Sequence, residues 1–130
     1  MDAAKPILFT NVRIWSDGSA FDAEVLVVGD RIDAVSAPGG SLTAPEAEVV
    51  DGQGATLMPG LIDGHAHIAF PDVPDYRQWG SIPVEEHVLI YMHNAKTVLD
   101  AGFTGAISAG AVKDRLDIVI RNEINAGRIP

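Results

Sequence analysis

With 130 residues, 47% of them apolar, the chain is long enough for one modest domain and can bury a core. Its 18 acids against 9 bases, a net charge of -9, exclude the clustered Lys and Arg that nucleic-acid and anionic-membrane surfaces require. The absence of cysteine excludes disulfide frameworks, zinc ribbons and thiol catalysis, so any metal is held by nitrogen and oxygen.

"MDAAKPILF" (Met1–Phe9) has no apolar run of signal-peptide length. No segment approaches the ~18 apolar residues of a membrane span, so a cytoplasmic protein is expected. "ILFTNVRIW" (Ile7–Trp15), rich in β-branched and aromatic residues, predicts a strand. "SDGS" (Ser16–Ser19) is a turn cluster. "AEVLVV" (Ala23–Val28) and "RIDAVS" (Arg31–Ser36) flank Gly29-Asp30, a pair suited to a two-residue hairpin. "APGGS" (Ala37–Ser41) is a loop, and "EVVD" (Glu48–Asp51) and "ATLMP" (Ala55–Pro59) are two further short strands. The first 59 residues therefore predict a small antiparallel β unit without a catalytic constellation.

The pattern changes at Gly60. "GLIDGHAHI" (Gly60–Ile68) predicts a mostly apolar strand, and "FPDVPDYRQWGSIP" (Phe70–Pro83) a long loop. A helix is expected from Val84 to Ala101, because Val84, Val88, Tyr91, Ala95 and Val98 keep to one face. Glu85 and Glu86 suit its first turn, and Gly102 its end. "FTGAIS" (Phe103–Ser108) predicts a second strand. Val112–Ala126 predicts a second helix that buries Leu116, Val119, Ile120 and Ile124, turns Lys113, Asp117 and Arg121 to water, and ends at Gly127. Strand, helix, strand, helix is the rhythm of a parallel α/β sheet.

The residues that bear on chemistry are His65 and His67. On a strand, side chains at i and i+2 share a face, about 7 Å apart along the backbone. Two imidazoles so placed can share one metal ion, at the end of the strand where parallel folds gather ligands. Two ordinary histidines would read the same way, and a bare His-x-His is a weak signal. His87 and His93, six residues apart on the predicted helix, do not form a ligand pair and read as ordinary helix histidines.

Val50–Ile68, "VDGQGATLMPGLIDGHAHI", resembles the opening of the amidohydrolase superfamily, where an N-terminal β segment carries a "D…G…PG-x-ID-x-H-x-H" stretch into the first strand of a (β/α)8 barrel. "AKTVLDAGFTGAIS" (Ala95–Ser108) is similar to the "A…LL-x-AGVTT" stretch that reaches the second strand. "IRNEINAGRIP" (Ile120–Pro130) is similar to the "I-x-x-G-x-I-x-GPR" ending of the second helix among imidazolonepropionases and prolidase-like dipeptidases. The resemblance implies an α/β fold: residues 1–59 as the N-terminal segment of a composite β-sandwich, and residues 60–130 as the first two βα units of an incomplete TIM barrel.

It further implies that His65 and His67 match the first two metal ligands, with Asp63 as a support. The cofactor would be Zn²⁺, one or two divalent ions per site, and Mn²⁺, Fe²⁺, Co²⁺ or Ni²⁺ suit the same donors. The activity implied is hydrolysis of a C–N bond in a small molecule or dipeptide-like substrate. Tyr76, Arg77 and Trp79, on the loop after the first barrel strand, are candidate substrate contacts; no catalytic residue is assigned within this chain. Where this branch often carries "RD" at the end of the second strand, Ile107 and Ser108 stand here, which leaves that acid's role in doubt.

A complete barrel takes about 250 residues. The chain is therefore expected to work only with the C-terminal remainder of the barrel, on the same or a separate chain, and not as an isolated active monomer. Its stop just before the expected "GPR" favours an internal cut. A homo-oligomer, with no nucleic-acid or membrane partner, is expected. Lys96 and Lys113 are expected to face away from any barrel mouth. The rival readings are a truncated non-catalytic relative or assembly subunit, the same fold used for decarboxylation or for ester or phosphotriester hydrolysis, and a small-molecule binding module built on the N-terminal β unit.

Overall fold

The computed structural model describes residues 5–16 and 18–129, and the chain divides into two compact units, Met1–Pro59 and Gly60–Pro130. Of the turn cluster at Ser16–Ser19, Asp17 lies outside the described residues.

The first unit is a five-stranded sheet. Strand β1 (Ile7–Ser16) pairs antiparallel with β2 (Ser19–Val28), which pairs antiparallel with β3 (Arg31–Val35). Gly29, at φ 61°, makes the tight β2–β3 turn that the sequence anticipates. The unit is not wholly antiparallel, however. β4 (Glu48–Asp51) and the two-residue β5 (Thr56–Leu57) both pair parallel with β1. The physical reason is the connection: residues 36–47 are long enough to cross the sheet and lay β4 on the free edge of β1 in the same direction. A bulge between Phe9 and Val12, with Asn11 at φ 51°, marks where that edge passes from β4 to β5. There Gly52 and Gly54 donate to the carbonyls of Thr10 and Asn11. Leu8, Val12, Ala23 and Val25 form this unit's buried interior.

In the second unit, β6 (Leu61–Ala66) and β7 (Phe103–Ser108) pair in parallel. Helix α1 (Val84–Asp100) joins them, and α2 (Leu116–Asn125) follows β7. Ala69, Tyr91, Leu116 and Ile120 form the core, with Ile68, Val88, Met92 and Ala95 packed against it.

Several expectations are corrected. The first strand of this unit stops at Ala66, so His67 stands one residue beyond it. Within the long loop that follows, Tyr76–Ser81 form a 3₁₀ helix, capped by the Asp75 carboxylate, which accepts the Arg77 N–H at 3.0 Å. On α1 the buried residues are His87 and Tyr91, whereas Val84 is 53% exposed. Val84 occupies the first turn, ahead of the part of the helix that α2 covers. Helix α2 starts at Leu116 rather than Val112. Gly110 at φ 135° and Arg115 in the left-handed region break the helical path, leaving Lys113 off the helix. Leu116 and Ile120 are buried as anticipated, but Val119 and Ile124 are each 40% exposed, because only a narrow stripe of α2 meets α1. Ile62 and Ile107, on the two paired strands, are left uncovered.

Candidate functional site

The His65 and His67 rings converge, with centroids 5.2 Å apart and planes at 77°. Simple strand alternation would separate them by about 7 Å. Pairing skips between Asp63 and Ala66, so Gly64–His65 carry one residue more than β7 opposes, and this bulge re-aims the side chain. Asp63 accepts the His65 backbone N–H on Oδ1 at 3.0 Å, which fixes the bulge from within. Both histidines are exposed.

His67 is held from two sides. Its Nδ1 lies 3.4 Å from the carbonyl oxygen of Gly110, in the loop after β7. A carbonyl only accepts, so the contact is a hydrogen bond in the tautomer that carries its proton on Nδ1, and in that tautomer the Nε2 lone pair is free. On the other side Phe70 stacks on the ring, centroids 4.3 Å apart and planes at 20°. Trp79 packs on Phe70 at 4.2 Å, and Tyr76 meets Trp79 edge-on at 6.4 Å. Ala109 N–H donates to Ala66 C=O at 2.8 Å, tying the loop after β7 to the end of β6. A groove of about 350 Å³ runs beside His67, touching Asp63, Phe70 and Asn94.

Of the three loop residues read as substrate contacts, Tyr76 is 69% exposed. Arg77 projects into solvent, 3.7 Å from Asp75 and 6.0 Å over the Tyr76 ring. Trp79 is half-buried with its indole N–H covered and unpaired. Lys113 reaches back across the loops and donates to Gly80 C=O at 2.6 Å, at the end of the turn that carries Trp79. Lys96 pairs with Asp100 on the outside of α1.

The donors present would suit a divalent ion: two imidazoles on one short stretch, one of them oriented by a backbone carbonyl. Among the described residues no group of three or more His, Asp or Glu side chains gathers, so His65 and His67 would make up only part of any coordination shell. Sequence reasoning missed Phe70, Asn94 and His87. A signal for the last two exists: His87, Tyr91 and Asn94 are spaced i, i+4, i+7, which puts a polar pair on the buried stripe of α1. Burial, and secondly the Asp117 charge, raise the Tyr91 phenol above its usual pKa.

No family model matches the chain. A deacetylase of Brucella anthropi is 42% identical over 69 residues, covering 52% of this chain and 17% of that protein. An imidazolonepropionase of Rubrobacter xylanophilus is 48% identical over 52 residues, 37% of this chain and 12% of that protein. A dihydroorotase of Solibacter usitatus is 41% identical over 68 residues, 51% of this chain and 15% of that protein. The chain is similar to the N-terminal part of amidohydrolase-superfamily proteins. The matches span less than a fifth of each of these curated relatives.

Solved structures of this superfamily superpose on most of the chain. An amidohydrolase matches with a TM-score of 0.79 and 23% identity, over 95% of this chain and 29% of that one. A prolidase complexed with N-methylphosphonate-L-proline matches with a TM-score of 0.79 and 20% identity, over 96% and 30%. At these identities the likeness speaks to the fold. No helix among the described residues is long and apolar enough to cross a membrane.

Proposed function

We propose that the chain forms the N-terminal β segment and the first two βα units of a (β/α)8 metallohydrolase, and that His65 and His67 hold a divalent ion, Zn²⁺ first among the candidates. The observation that carries this reading is the convergence of the two rings at 5.2 Å, with the His67 proton directed to Gly110 C=O. A bound ion supplies Lewis-acid polarisation and lowers the pKa of water at the site. The chain's own residues do the rest of what is assigned here. His65 and His67 present their imidazole nitrogens, Asp63 fixes the bulge that aims His65, and Gly110 fixes the tautomer of His67. The proton shuttle and the remaining ligands belong to the C-terminal remainder of the barrel.

The reaction proposed is hydrolysis of a C–N bond of a small molecule, in keeping with the deacetylase, imidazolonepropionase and dihydroorotase among the relatives. Tyr76 and Arg77, exposed on the 3₁₀ helix, would meet the substrate, with Trp79 behind them. The planar Arg77 fork suits a substrate carboxylate. Assembly as a homo-oligomer in the cytoplasm completes the proposal. The test is metal content per active site in the protein with its barrel complete, alongside turnover of amide and lactam substrates. About one or two ions per site, turnover abolished by chelation, and reduced occupancy in His67→Ala are expected. Full occupancy and full turnover in His67→Ala would refute the ligand assignment.

A further inference from the structure

Three consecutive carbonyls follow His67, and one helix holds all of them. Asn94 Nδ2 donates to Ile68 C=O at 2.8 Å and to Phe70 C=O at 3.0 Å. His87 Nε2 lies 2.7 Å from Ala69 C=O. Because the carbonyl only accepts, Nε2 carries the His87 proton, and the ring's Nδ1 is left buried without a partner. His87 is 0% exposed. A leucine would fill that volume without orphaning a nitrogen, so the imidazole's distinctive contribution there is its N–H to Ala69.

The segment so gripped lies past the end of β6, where no ladder satisfies its carbonyls. Phe70 N–H closes a turn onto His67 C=O at 3.0 Å, and the Phe70 ring returns to stack on the His67 ring. Backbone and side chain of the turn therefore both depend on where α1 pins residues 68–70.

We infer that His87 and Asn94 are positioning residues for His67: α1 fixes the turn 67–70, and the turn fixes the plane and free nitrogen of the His67 imidazole. The inference rests on the metal-centre reading only for its consequence on affinity, since the positioning is a property of the metal-free protein. Outer partners of this kind tune how well a ligand is presented without touching the ion.

Two measurements on the intact protein test it. The first is ¹⁵N NMR of the His67 ring in metal-free protein. Wild type is expected to show one tautomer with the proton on Nδ1. Asn94→Leu and His87→Phe are expected to show averaged tautomers, and His87→Gln, which keeps an N–H for Ala69, to restore the single form. The second is Zn²⁺ affinity by competition with a chromophoric chelator, expected to weaken about 10–100-fold in Asn94→Leu and in His87→Phe and to stay near wild type in His87→Gln. Asn94→Ser gives the same reading should the leucine variant not fold. Ala95→Gly, which weakens the same helix without touching these carbonyls, is expected to leave both readouts unchanged. Wild-type ring signals and affinity in a folded Asn94 variant overturn the inference, as do equal shifts in Ala95→Gly. If His67→Ala binds Zn²⁺ as tightly as wild type while Asn94→Leu still averages the tautomers, the metal reading fails and the positioning stands.

Discussion

Gly60 precedes β6, where Leu61 N–H donates to Gly102 C=O and Leu61 registers with Phe103. The pairing then skips Thr104, whose side chain lies where a Cβ on Gly60 would go. A Cβ built there collides with the Thr104 Oγ1 and Cγ2, and even the Thr104 Cβ is only 2.7 Å away. Carbon atoms in contact sit about 3.5–4.0 Å apart, so Gly60→Ala forces β6 and β7 apart by more than about an ångström at their start, or the Thr104 side chain out of its place. Overpacking of this sort costs about 1–3 kcal/mol. Restricting the unfolded chain by replacing glycine returns about 0.4–1 kcal/mol, and since the overlap puts the cost near the upper end of its range, a net loss of about 2 kcal/mol is expected. Urea unfolding followed by circular dichroism should show a lower midpoint with the slope unchanged. Removing the opposing side chain identifies the cause: Thr104→Gly should relieve part of the loss in the Gly60→Ala background although it destabilises alone, a favourable coupling in the double-mutant cycle. A wild-type midpoint for Gly60→Ala, or strict additivity with Thr104→Gly, would refute the steric account.

Ile120→Ala empties a position that is 1% exposed at the α1–α2 contact, and should destabilise by about 2–5 kcal/mol in the same unfolding assay. The raised Tyr91 pKa has a definite sign: its contribution is fully present below the unfolded phenol's value of about 10 and is lost as pH rises through the folded value. Melting temperature should therefore fall more steeply above about pH 10 in wild type than in Tyr91→Phe. Lys113→Ala removes the bond to Gly80 that pins the Trp79 turn. In a Trp15→Phe background, its fluorescence should shift to the red, with a stability loss of about 1 kcal/mol.

Most of the elements were legible because local letters agree with the architecture. β-branched and aromatic residues mark β1, Gly29 the hairpin, Gly102 and Gly127 the helix ends, and the change of pattern at Gly60 the boundary between units. What was illegible depended on partners distant in sequence. Nothing in Glu48–Asp51 states that it will run parallel to Ile7–Thr10, since that outcome is set by a crossing loop and a free edge. The convergence of His65 and His67 was read from alternation, yet it is delivered by a bulge whose only local trace is Gly64. The premature start assigned to α2 has the opposite origin. Lys113 and Arg115 are good helix formers taken one at a time and Val112 fits the apolar spacing, but backbone geometry at Gly110 and Arg115 overrides them. The grip of His87 and Asn94 on residues 68–70 was encoded at i and i+7, but a polar residue on an apolar stripe reads as an imperfection until its acceptors are known.

The edge of β1 that accepts β4 and β5 has a bearing on how the first unit assembles. β1, β2 and β3 are joined by short turns and can zip together in microseconds, whereas Ile7 and Glu48 must find each other across some forty intervening residues. The three-stranded meander is therefore expected to form first, and the docking of residues 48–57 to be the slow closing event. Substitutions at the β2–β3 turn should retard refolding, and those at Val49 or Leu57 should chiefly hasten unfolding.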